Sequence, residues 1–148
     1  MNALELLKTD HKTVKELFEK VEASENDKQQ KKLFEQIKEE LETHTHIEET
    51  VFYPAVTKIE ELKDMVLESL EEHKQVKTLL REIDNLAEDS EKFEPKLKVL
   101  MENVEHHAVE EEEEQMFPKL RKLMSTEELE QLGHELEMAK DKQLRKAS

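Results

Sequence analysis

His44-Thr45-His46-Ile47-Glu48-Glu49-Thr50-Val51-Phe52-Tyr53-Pro54 decides the reading of this chain, because the chain says it twice. From His106 to Met116-Phe117-Pro118 the same order returns: imidazole, acids, aromatic ring, proline. Upstream of each stretch lies a second echo. Asp10-His11-Lys12-Thr13-Val14-Lys15-Glu16-Leu17 is matched by Glu72-His73-Lys74-Gln75-Val76-Lys77-Thr78-Leu79. The two pairs occur in the same order, so the chain reads as two copies of one helical hairpin. Two such hairpins pack as an antiparallel, up-down, pseudo-twofold four-helix bundle.

Apolar spacing supports helices throughout. Leu4, Leu7, Val14, Phe18 and Val21 form one stripe over roughly Ala3 to Glu22. A second helix is expected from about Asp27 to Ile59, bent near its end by Pro54. A third runs from about Glu61 to Ala87 and a fourth from about Glu91 to Leu123. The links Ser24-Glu25-Asn26 and Glu88-Asp89-Ser90 are short and polar, which makes neighbours antiparallel. Ser125-Thr126-Glu127-Glu128 is a capping box and opens a fifth helix with Leu129, Leu132 and Leu136 on one face. The expected organisation is therefore an all-α bundle over residues 1–124. A C-terminal helix over 125–148 has no copy, and packs on the bundle or at an oligomer contact.

Composition agrees and excludes much else. The chain has 148 residues, 41% of them charged, with one Gly and three Pro. That is poor in turn formers and rich in helix formers, as one domain of long amphipathic helices requires. It has no Cys, which removes disulfides, thiolate metal sites and iron–sulfur clusters. A formal charge of −15 argues against nucleic acid and anionic membranes as partners. With no apolar run of spanning length and no signal pattern at the N-terminus, the expected location is the cytoplasm, as a monomer or weak homo-oligomer.

The seven His then become informative. His11 lies on the inward stripe of the first helix, His44 and Glu48 on that of the second, His73 on that of the third and His107 on that of the fourth. The fourth helix slips phase beyond His107. Glu48 lies six residues before Pro54 and Glu112 six before Pro118, yet His44 lies ten before its proline and His107 eleven before its own. A one-residue insertion between His107 and Glu112 reconciles the copies, and inside a helix that is a π-bulge. Four imidazoles and two carboxylates thus aim inward at one level, with no Lys or Arg on these stripes nearby. Buried carboxylates need a counter-charge. Two cations would supply it, and imidazole with carboxylate suits iron, manganese or zinc.

These residues resemble the hemerythrin-like proteins, the family with a His-His-Glu (HHE) cation-binding domain, over roughly positions 1 to 124. The resemblance implies two non-haem iron ions: one on His11 and His44, the other on His73 and His107, with Glu48 and Glu112 bridging them. It also implies dioxygen, peroxide or nitric oxide as the small ligand. Oxygen-carrying members have a further His four residues after the helix-three His; this sequence has Lys77 there. That departure favours a site that reacts with these ligands, or senses iron or oxygen, over simple carriage. A non-redox storage bundle is the remaining reading. No nucleophile–base triad or phosphate loop is visible, so no catalytic motif beyond the metal cluster is assigned.

His46, His106 and His134 fall off the stripes and are expected at the surface. A bulge placed elsewhere would exchange His106 for His107, or Glu111 for Glu112. Glu49 is expected at the surface, with a supporting role behind the metals as the alternative. Phe52, Tyr53, Met116 and Phe117 are expected to pack in the core, and Lys77 to be exposed.

Overall fold

A computed structural model of the chain describes residues 1–147. Helix α1 spans Ala3–Ala23. Helix α2 begins as Asp27–Ile47, winds through a π-helical stretch Glu48–Phe52, and ends as Tyr53–Val56. A single 3₁₀ turn, Glu60–Leu62, leads into α3, Lys63–Asp84. Helix α4 begins as Phe93–Glu105, continues through a π-helical His106–Met116, and finishes as Phe117–Leu123. Helix α5 is Thr126–Ala147. There is no strand among the described residues.

Local chemistry sets these boundaries. Asn2 and Asn26 cap α1 and α2, each accepting a backbone N–H three residues on, at 2.9 Å. The capping box at α5 forms reciprocally. Glu128 N–H donates to Ser125 Oγ at 3.1 Å, and Ser125 N–H donates to Glu128 Oε1 at 2.9 Å. The two π stretches arise at matching places in the repeat. Tyr53 N–H bonds back to the Glu48 carbonyl, and Phe117 N–H to that of Glu112. Each donor is followed by a proline, which has no N–H to extend the ladder. The bulge expected in the fourth helix is present but longer than one residue's adjustment. The one in the second helix was not expected, since His44 and Glu48 keep ordinary i, i+4 spacing ahead of it.

The interior is divided. One apolar cluster holds Val14, Phe18, Phe34, Ile37, Leu80, Ile83 and Leu100, at the end of the bundle where α1 meets α2. The other holds Leu4, Leu7, Phe52, Val56, Leu62, Phe117 and Leu120, joined by Leu129, Leu132 and Leu136 of α5. Helix α5 lies against α1 and α2. The approach is close: a Cβ on Gly133 would sit 2.5 Å from the Met1 carbonyl oxygen and 2.8 Å from Ala3 N. Between the clusters lies a layer of buried polar side chains: Asp10, His44, Glu48, His73, His107 and Glu112. No helix among the described residues is long and apolar enough to cross a membrane.

Candidate metal centre

The polar layer brings all six sequence-predicted residues together. His11 Nε2 lies 3.1 Å from Glu112 Oε1, and His44 Nε2 3.3 Å from Glu48 Oε1. His73 Nε2 lies 3.1 Å from the same Glu48 oxygen, and 3.1 Å from His107 Nε2. His107 Nε2 is 3.6 Å from Glu112 Oε2. Every Nε2 therefore turns inward toward two carboxylates that are 0% exposed. His11, His44, Glu48 and Glu112 form one group whose donor atoms all lie within 4.8 Å of one another; Glu48, His73 and His107 form a second.

The outward Nδ1 atoms explain the orientation. A carboxylate can only accept, so the ring N–H must sit on Nδ1 where Nδ1 faces one. His44 Nδ1 donates to Asp10 at 3.0 Å and His107 Nδ1 to Glu72 at 2.8 Å. His11 Nδ1 donates to Glu113 at 2.7 Å and His73 Nδ1 to Glu49 at 2.8 Å. Each pair spans two helices and obeys the repeat. The residue before the imidazole of α1 or α3 holds the imidazole of α2 or α4. The residue after the buried acid of α2 or α4 holds the imidazole of α3 or α1. With Nδ1 committed to an outer carboxylate, each Nε2 faces the centre and would turn its lone pair there once a metal displaced its proton.

Of these four supports, Glu49 takes the supporting role that is the alternative to a surface position, and Asp10, Glu72 and Glu113 are not singled out by the sequence reading. In a chain with 38 acids their composition gives no contrast. Their position beside each repeated His or Glu was the available signal. His46, His106 and His134 are exposed, as is Lys77. Lys77 Nζ donates to both oxygens of Glu49, at 2.9 and 3.0 Å. The lysine at the position of the missing imidazole thus reaches the layer only through Glu49. The hydrogen bond from His73, opposed by burial and joined by that from Lys77, holds Glu49 down at about 2.

Tyr53 does more than pack. Its hydroxyl donates to Glu112 Oε2 at 2.7 Å and stands 3.3 Å from both Glu48 Oε1 and His107 Nε2. Burial, reinforced by the charges of Glu112 and Glu48, pushes its pKa well up, so the phenol keeps its proton. Its counterpart in the other hairpin is Phe117, stacked on His11 with centroids 6.4 Å apart. The two halves of the layer are therefore unlike: a phenol borders one and an apolar ring the other.

The residues fit a cation. His11 Nε2, His44 Nε2, Glu48 Oε2 and Glu112 Oε1 are buried without a hydrogen-bond partner. Buried polar atoms of this kind are rare and call for one. The set offers imidazole nitrogen and carboxylate oxygen, donors that divalent first-row metals accept.

The Hemerythrin HHE cation binding domain model matches residues 2–120. The chain belongs to the hemerythrin HHE cation-binding family. A crystal structure of a hemerythrin HHE cation-binding domain-containing protein from Mycobacterium kansasii superposes with a TM-score of 0.84 at 28% identity, covering 97% of this chain and 87% of that one. An uncharacterized hemerythrin-like protein of Schizosaccharomyces pombe is 37% identical over 91 residues, 60% of this chain and 44% of that protein. A protein named DNA nickase, from Nostoc, is 30% identical over 142 residues, 96% of this chain and 40% of that protein. The chain thus spans less than half the length of these two curated relatives. What the family membership and the geometry establish together is a hemerythrin-like helical bundle whose His and Glu side chains are suited to hold metal.

Proposed function

We propose that the layer holds two iron ions and that the pair binds or reacts with dioxygen, peroxide or nitric oxide. His11 and His44 would hold one ion, His73 and His107 the other, and Glu48 and Glu112 would be shared between them. The observation that carries this reading is the convergence of four Nε2 atoms on two buried carboxylates, with four atoms of the set lacking a hydrogen-bond partner. Iron held there would supply exchangeable coordination positions and redox steps to a small ligand. The chain does the rest. Asp10, Glu49, Glu72 and Glu113 fix the imidazole tautomers, and the two apolar clusters keep bulk water from the layer. Tyr53 holds a proton against Glu112 Oε2, in hydrogen-bond reach of the layer.

Oxygen or iron sensing is a second reading, favoured by the ion pair that joins α5 to the layer through Asp10. The nicking of DNA named for the Nostoc relative is not carried over. This chain spans 40% of that protein, and its formal charge of −15 is unsuited to phosphate.

The test is to load the protein with iron(II) without oxygen, then expose it separately to nitric oxide, dioxygen and hydrogen peroxide. The reading expects a change in visible absorption with at least one of them, proportional to bound iron. Iron-loaded protein indifferent to all three would contradict it.

A further inference from the structure

Helix α5 lies beyond the residues matched by the family model, yet one of its side chains reaches the polar layer. Lys140 Nζ donates to Asp10 Oδ1 at 2.6 Å, while Asp10 Oδ2 accepts the Nδ1 proton of His44 at 3.0 Å. Asp10 is 3% exposed. A His that binds metal is neutral. Neutral His44 gives Asp10 a hydrogen bond but no counter-charge, so the buried carboxylate rests on Lys140. Removing one partner of a buried pair leaves an uncompensated charge, which is strongly destabilising. Asp10 would then leave its place or draw in water, and His44 would lose the contact that aims its Nε2.

At the His73–His107 end the supporting carboxylates are held differently. Glu72 supports His107 as Asp10 supports His44, but behind Glu72 stand a second carboxylate, Glu111, and the exposed imidazole of His106, its Nε2 3.7 Å away. Glu49 has a lysine behind it as Asp10 does, but Lys77 is 44% exposed against 28% for Lys140, and water can replace it more readily.

We propose that Lys140 is a positioning residue of the metal centre. Through Asp10 it orients His44, so the docking of α5 and the hold on metal at the His11–His44 end are one coupled equilibrium. By linkage, metal stabilises docked α5 as much as docked α5 strengthens metal binding. The inference rests on the reading of the layer as a two-metal site.

The experiment uses the full chain and iron(II) under anaerobic conditions, with affinity read by chelator competition and α5 order by amide hydrogen exchange. Lys140→Met keeps the aliphatic stem and removes the charge; Lys140→Arg keeps the charge. Lys140→Met is expected to weaken one of the two iron equivalents by roughly ten- to a hundredfold, spare the other, and speed exchange in α5 of the loaded protein. Lys140→Arg is expected to restore both. In an Asp10→Asn background, where no buried charge needs a partner, Lys140→Met should have no further effect on affinity. Equal affinity of both equivalents in Lys140→Met, failure of Lys140→Arg to restore the weakened one, or α5 exchange indifferent to iron would overturn the proposal. Wild-type protein that took up no iron would overturn the metal reading itself.

Discussion

Glu49 accepts the Nδ1 proton of His73 at 2.8 Å, while the residue before it, Glu48, meets the same ring's Nε2 at 3.1 Å. Two successive acids on α2 thus address the two nitrogens of one imidazole on α3, one from the centre and one from outside. Glu112 and Glu113 do the same for His11. If the inner acid bridges metals and the outer one fixes the ring, their mutants must fail differently.

Removing an inner acid should cost metal outright. Glu48→Ala or Glu112→Ala is expected to lose at least one iron per chain, measured by elemental analysis after gel filtration. Retention of two irons by both variants would mean that neither acid bridges.

Removing an outer acid should weaken binding without abolishing it. Glu49→Ala is expected to lower affinity for one metal by about ten- to a hundredfold, read by competition with a chelator. His46→Ala is the control. His46 is exposed, and its loss should leave metal content at the wild-type level.

Metal uptake should depend on pH in a defined direction. Burial alone would lower the pKa of His44, but the charge of Glu48 and the hydrogen bond to Asp10 outweigh it and hold it at about 10. The pKa values of His11, His73 and His107 are likewise raised against burial, by their carboxylate partners. At about 10, His44 keeps its proton at neutral pH in the metal-free protein, and a metal must displace it. Apparent affinity should therefore climb with pH through neutrality toward about pH 10, with protons released into weakly buffered solution on binding. Affinity that is flat above neutrality, without proton release, would contradict this.

The seat of α5 makes a prediction about stability. Alanine favours a helix over glycine by roughly 1 kcal/mol. At Gly133, however, the added Cβ meets the backbone of Met1 to Ala3, which has no flexible side chain to yield. Gly133→Ala should therefore lower stability by about 1–3 kcal/mol, seen as a lower midpoint of thermal or urea unfolding. An unchanged or higher midpoint would show that the N-terminus moves aside freely.

The fold and the inward residues were legible because buried faces impose period and repetition on a sequence. His11, His44, His73 and His107 share stripes with Leu and Val, and the prolines at 54 and 118 fix the register of one hairpin against the other. The π stretch of α2 was hidden because it begins at Glu48, after the His44–Glu48 spacing has already been satisfied. Asp10, Glu72 and Glu113 are hard to single out because acids are common on solvated helix faces, and only their place beside a repeated His or Glu distinguishes them. Tyr53 reads first as packing, with a phenol near the metals as the weaker alternative, because its register on the helix does not aim it at the layer. Its hydroxyl, just past the π stretch, lies 2.7 Å from Glu112 Oε2.

The central claim is that this layer is a two-metal iron site, and metal content per chain tests it most directly. Protein produced with ample iron and purified without a metal-affinity tag should carry about two irons per chain by elemental analysis, as a paired site requires. Zinc, a single metal or none would leave the bundle intact and contradict the di-iron reading.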